Sequence, residues 1–140
     1  MSSNIQSFTF SSINLKINKK TILSDLHGKI RSNKMTAIMG LSGAGKSSFL
    51  KILSGRFTKK HNGNINVNGI ALTKDTLRKI SGYVHQHDIL PNYLTVGEYL
   101  NFNNKLRTRN SECPGIEALN LNNILDKKIG DTESGGISGG

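Results

Sequence analysis

The sequence predicts an α/β fold: a glycine loop shaped for phosphate at its centre, an antiparallel β portion before and around that loop, and helices after it. Three observations predict it. Gly40-Leu41-Ser42-Gly43-Ala44-Gly45-Lys46-Ser47 has the pattern G-x-x-x-x-G-K-S and stands between an apolar run, Met35-Thr36-Ala37-Ile38-Met39, and a stretch whose Phe49, Leu50, Ile52 and Leu53 recur at helical spacing. Residues 7–17 and 64–70 alternate as half-buried strands do. Thr95 and Glu98 open a helix with capping-box spacing.

Taken in order, Phe8, Phe10, Ile13, Leu15 and Ile17 mark a first strand with one buried face. Residues 21–26 and 28–30 follow as two short strand pieces, and residues 31–34 turn the chain into a strand at 35–39 that carries the loop. The helix after the loop stops at Gly55, and residues 58–63 form a loop. Asn64-Ile65-Asn66-Val67 then alternates into Asn68-Gly69, the signal for a tight hairpin. A short helical turn at 75–79 precedes a second core strand, Ile80-Ser81-Gly82-Tyr83-Val84-His85-Gln86. Leu94 and Tyr99 are spaced as a hydrophobic staple around the Thr95 cap, and that helix reaches about residue 106. Another helix is expected at 115–125, and residues 131–140 read as a polar, glycine-rich loop.

The loop has a chemical logic. A triphosphate is held best by many backbone N–H groups pointing inward together. Gly40, Gly43 and Gly45 let the backbone turn and approach the anion closely. The helix that follows adds free N–H groups and a positive dipole end, worth about 0.3–2 kcal/mol. Lys46 supplies a mobile charge for the β and γ phosphates, and the Ser47 hydroxyl is placed to ligate Mg²⁺. The bland alternative is a glycine turn that happens to carry Lys-Ser, and the flanking strand and helix argue against it.

The 140 residues suffice for about one domain, and the net charge is +10. Its basic residues come as scattered doublets (Lys19-Lys20, Lys59-Lys60, Arg78-Lys79, Lys127-Lys128) with little aromatic interleaving. That describes a solvated basic surface, and no specific nucleic-acid binding is expected. The single cysteine, Cys113, cannot form an internal disulfide, which suits a reducing compartment. Residues 1–12 do not read as a secretory signal, and no apolar run approaches the ~20 residues that span a bilayer. His85 and His87 share strand spacing i, i+2 but lack further metal ligands, and Asn104-Lys105-Leu106-Arg107 fails the guanine-recognition pattern at its last position.

The phosphate loop, a strand ending in Gln86, and Ile137-Ser138-Gly139-Gly140 occur in the order and character of an ATP-binding cassette nucleotide-binding domain. The last four residues resemble the start of that family's L-S-G-G-Q signature, with Ile in place of Leu. Ile80-Ser81-Gly82-Tyr83-Val84-His85-Gln86-His87-Asp88, Leu94-Thr95-Val96-Gly97-Glu98-Tyr99-Leu100-Asn101-Phe102 and Ile129-Gly130-Asp131 resemble the G (white-type) subfamily of half-transporters. The resemblance runs from about residue 8 to residue 140. It implies a P-loop NTPase core of ABC type with an N-terminal antiparallel β subdomain and a partial helical subdomain, C-terminally truncated. The β subdomain and core, with Gln86, would span about 8–92, and the helical part about 93–140.

Carried over by position, the resemblance implies that Gly40, Leu41, Ser42, Gly43, Ala44, Gly45, Lys46, Ser47 and Ser48 bind ATP, with Ser47 and Gln86 on Mg²⁺. Lys46 and Gln86 would be the catalytic groups of a partial site. Ser138, Gly139 and Gly140 would meet the γ-phosphate held by an opposing subunit, in a homo- or heterodimer of nucleotide-binding domains. A transmembrane domain of the full-length protein would place this domain on the cytoplasmic side, coupling ATP binding and hydrolysis to transport of an unknown substrate, with a lipophilic one among the possibilities. The alternatives are a non-catalytic regulatory paralogue and a soluble, non-transport ABC ATPase. The family's Walker B Asp and Glu and its switch His are not in this sequence, Asp126 reads as a helix-end residue, and the chain alone is expected to be inactive as an ATPase. Residues 103–114 are shorter than the family's usual helical subdomain. The family's adenine-stacking aromatic falls near Lys16 or Ile17, where there is none; Phe8 and Phe10 are the available substitutes, but their spacing is that of core strand residues.

Overall fold

A computed structural model of the chain describes residues 7–86, 90–108, 113–130 and 136–137. The chain divides into two compact units, Met1–Tyr83 and Val84–Gly140. The first contains strands β1 (Ser7–Ile17), β2 (Lys20–Arg31), β3 (Asn62–Val67) and β4 (Ile70–Ala71), with helices α1 (Lys46–Leu53) and α2 (Lys74–Ile80). The second contains α3 (Val96–Thr108), α4 (Pro114–Ala118) and a 3₁₀ turn, Asn122–Ile124.

In the first unit the strands form one antiparallel sheet in the order β2-β1-β3-β4. Alternation along β1 sends Ile13 and Leu15 inward, and both are fully buried. Leu23 of β2, Ile65 of β3, Phe49, Ile52 and Leu53 of α1, and Leu77 of α2 complete that core. Each such side chain contributes about 1.5–3 kcal/mol by leaving water, so the sheet and α1 are held together chiefly by this cluster. Phe8 and Phe10 pack against it, and the Phe10 ring meets Phe49 edge-on at 5.0 Å. Both phenylalanines are therefore core residues of the sheet.

β2 is one strand of 12 residues, where two pieces, 21–26 and 28–30, are expected. Phe10 pairs with Gly28 across the ladder, and its ring occupies the space that a side chain at 28 would need. The aromatic ring thus covers the glycine and keeps the ladder continuous. β1 is bulged between Phe10 and Lys16. There the Asn14 side chain replaces a backbone partner, accepting from the Asp25 N–H at 2.9 Å and donating to Ser12 O at 2.9 Å.

Two expected strands are absent. Residues 34–40 and 81–86 join no ladder, and Ile80 is the last residue of α2. Met35, Met39 and Val84 are 101%, 89% and 95% exposed. Apolar runs specify a tendency to be buried, but a strand also needs a neighbouring strand, and among the described residues neither run joins a ladder. With 81–86 not a strand, the strand-spacing argument for His85 and His87 loses its basis, and His87 lies outside the described residues.

Asn68 (φ 50°) and Gly69 (φ 81°) make the expected left-handed hairpin turn between β3 and β4. α2 is longer than the predicted turn because Thr73 caps it, its Oγ1 accepting from Thr76 N at 3.3 Å.

In the second unit the capping box forms as the sequence predicts. Thr95 N donates to Glu98 Oε2 at 2.8 Å, and Glu98 N donates to Thr95 Oγ1 at 3.2 Å. The backbone bond from Thr95 N first, and then the Thr95 hydroxyl, which donates to the same Oε2 at 3.1 Å, hold the Glu98 carboxyl below its ordinary pKa. Val96 N and Gly97 N donate to Lys127 O and Leu125 O at 3.0 and 2.8 Å, and Val96 and Ile129 are buried. The helix expected at 115–125 instead stops after α4. Asn120 turns left-handed (φ 52°), Leu121 N closes back on Ile116 O at 2.9 Å, and the 3₁₀ turn follows. Asp126 lies in the turn beyond it.

Candidate functional site

The glycine loop lies in the first unit, where α1 begins. Ala44 N donates to Leu41 O at 3.2 Å, and Phe49 N makes the first α-helical bond to Gly45 O at 2.9 Å. Gly45 is the N-cap, left-handed at φ 90°, and no side chain caps the helix. A Cβ at this position would stand 2.9 Å from both Ile22 Cγ2 and Leu23 Cδ2 and 3.3 Å from Ile22 O. The position therefore demands glycine twice, for its dihedral angle and for the close approach of β2. Ile22 and Leu23 are site-shaping residues that the motif alone does not reveal.

Lys46 is folded over the loop. Its Nζ donates to Gly40 O and Leu41 O, both at 2.7 Å. An ammonium has three donors, so two fix its position over the loop and one remains for an anion. Residues 40–44 and Ser47 are exposed, while Gly45, Lys46 and Ser48 are half-buried. The first turn of α1 contains no acidic residue. Its N–H groups have no acceptor within the helix, and its dipole end is uncompensated.

α3 provides an internal comparison. Its first-turn amides are taken by Lys127 O, Leu125 O and Thr95 Oγ1, and Glu98 sits in that turn. The start of α3 is thus closed to anions, whereas the start of α1 is open. An open helix start, a glycine loop and a lysine pinned across it are a donor set that suits a polyphosphate. The Ser47 hydroxyl, exposed in the same turn, suits a hard cation held together with that phosphate.

The structure brings Gly40 through Ser48 together in one loop and helix start. Gln86 is exposed and belongs to the second unit. Ser138, Gly139 and Gly140 lie outside the described residues. Among the described residues no group of three or more His, Cys, Asp or Glu could hold a metal ion, and no helix is long and apolar enough to cross a membrane.

A family model described as "ABC transporter" matches residues 23–140. The chain is 39% identical over 137 residues to "ABC transporter G family member 24" of Dictyostelium discoideum, covering 89% of this chain and 12% of that protein. It is 36% identical over 141 residues to "ABC transporter G family member 25" of Oryza sativa subsp. japonica, covering 94% of this chain and 14% of that one. It thus spans only about an eighth of the length of these relatives. Among solved structures, a bacterial Atm1-family ABC exporter with ATP bound superposes with a TM-score of 0.68, at 24% identity, over 94% of this chain and 25% of the exporter chain. That likeness shows the fold. With the glycine loop, the order of its elements and the extent of the family match taken together, the chain belongs to the ABC transporter family, as ATP-binding-domain sequence of its G subfamily.

Proposed function

We propose that this chain supplies the phosphate-holding half of an ATP site in an ABC transporter that moves a substrate across a membrane. The observation that carries the proposal is the open start of α1 with Lys46 Nζ held across the loop by Gly40 O and Leu41 O. Backbone N–H groups of Gly43 and of Gly45 to Ser48 take the phosphate oxygens, and Lys46 adds its remaining donor to the β and γ phosphates. Ser47 is the residue of the first unit that would hold Mg²⁺, which would neutralise phosphate charge. By the resemblance, Gln86 would orient the attacking water and relay occupancy of the site to the membrane domain. Ser138, Gly139 and Gly140 serve the γ-phosphate of a partner nucleotide-binding domain, so that ATP joins two such domains on the cytoplasmic side of the membrane.

Calorimetric titration of the chain with Mg-ATP tests this reading. Lys46→Ala is expected to weaken binding by about tenfold or more, since a hydrogen bond to a charged group contributes about 1.5–3 kcal/mol. AMP, lacking the β and γ phosphates, is expected to bind the parent and the variant alike. Equal ATP affinity in parent and Lys46→Ala would remove the basis for the proposal.

A further inference from the structure

The far end of α1 carries a polar joint for which the phosphate loop itself has no use. Arg56 Nη1 donates to Ser54 O at 2.9 Å and to Ser81 Oγ at 2.8 Å, and Nη2 donates to Ser81 O at 2.9 Å. The Ser81 hydroxyl turns its own proton to Leu77 O at 2.7 Å, with Ser54 O at 3.2 Å. Arg78 Nε donates to Gly55 O at 2.8 Å. The Arg56 guanidinium carbon also lies 5.8 Å from the centroid of the Tyr83 ring. One planar fork thus ties the end of α1 to the residues that follow α2.

The joint is tight as well as polar. A Cβ at Gly55 would collide with Lys74 O and stand 3.0 Å from Leu77 Cβ. α1 has eight residues, about 12 Å at a rise of about 1.5 Å each, and is buried along Phe49, Ile52 and Leu53. Lys46 stands at one end of this short rod and the Arg56 joint just beyond the other. The Arg56 fork is thus the contact through which a shift of the rod would bear on Ser81. Three residues beyond Tyr83 the chain reaches Gln86.

We propose that Arg56 is a positioning residue that transmits the state of the phosphate loop, through α1, to residues 81–83 and so to the chain that runs on to Gln86. The inference rests on the reading of Gly40 to Ser48 as an ATP site. Lysine cannot replace Arg56 in this role, because a single ammonium cannot bridge three acceptors in a plane while lying over a ring.

Hydrogen exchange of the amides at 81–86, measured on the full chain with and without saturating Mg-ATP, tests the proposal. In the parent, ATP is expected to slow exchange there by about tenfold, within the roughly 5- to 150-fold range of coupling between sites. In Arg56→Lys, ATP affinity by calorimetry and the exchange of the β1 amides are expected to match the parent, while the ATP-dependent slowing at 81–86 falls below about twofold. A cap that only stabilises would alter exchange with and without ATP alike. Should Arg56→Lys lose β1 protection, Ser81→Ala decides, since it keeps the bond to Ser81 O and is expected to retain only part of the slowing. Full slowing in a folded variant, or a parent that binds ATP without slowing at 81–86, overturns the proposal. A parent that fails to bind ATP overturns the phosphate-loop reading and this inference with it.

Discussion

Replacing Gly45 by alanine tests how the loop is built. At φ 90° an L-residue incurs about 1–2 kcal/mol of left-handed strain. The added methyl would stand 2.9 Å from Ile22 Cγ2 and from Leu23 Cδ2, and overpacking of this kind costs about 1–3 kcal/mol. The loss of unfolded-state freedom gives back only about 0.4–1 kcal/mol. The net expectation is a destabilisation of about 2–4 kcal/mol. Gly43→Ala is the matched control, with a similar φ of 78° but nothing within 4 Å of the new methyl, so only the strain remains, about 1 kcal/mol or less after the same offset. Urea unfolding reads the difference: with a slope of about 1–3 kcal/mol per molar, Gly45→Ala should lower the midpoint by about 1–2 M and Gly43→Ala by half a molar or so. Equal shifts for the two variants would refute the argument that β2 presses on the loop at Gly45.

Thr95→Ala removes the side-chain half of the α3 capping box and should cost about 0.5–2 kcal/mol, read as a lower urea midpoint. Glu98 has a lowered folded pKa, so its contribution to stability is present above its ordinary pKa of 4.5 and is lost as pH falls through the lower folded value. In Glu98→Gln that acid-side loss should vanish, and a stability profile with the same acid limb as the parent would contradict the assignment. Gly55→Ala should destabilise by about 2–4 kcal/mol, because its φ is 68° and its methyl would meet Lys74 O and Leu77, and amide exchange at the end of α1 should quicken with it.

How much of this was legible in the sequence depended on how far each feature reaches. The Thr95–Glu98 box and the Asn68-Gly69 turn are settled by neighbours a few residues apart, and each forms as read; the glycine loop runs into its helix, but without the strand expected before it. The runs at 35–39 and 81–86 carry strand composition, but strand pairing is a non-local property, and neither run joins a ladder among the described residues. α4 ends early because Asn120 can turn left-handed, and the cluster Asn120, Asn122 and Asn123 was the available signal. The Arg56 joint draws on residues 25 apart and could not be read by pattern, although a basic residue just past a Ser-Gly helix end is suited to the exposed carbonyls there. The pressure of Ile22 and Leu23 on Gly45 was hidden in the same way, since it joins a strand to a loop more than 20 residues later.

The most direct test of the central claim is a titration of the isotopically labelled chain with Mg-ATP, followed by the amide resonances of residues 40–48. Localised shifts from Gly43 to Ser48, with the amides of Val96 and Gly97 at the closed start of α3 unmoved, are the predicted result. Shifts spread without preference over the basic surface, or none at the start of α1, would contradict the account.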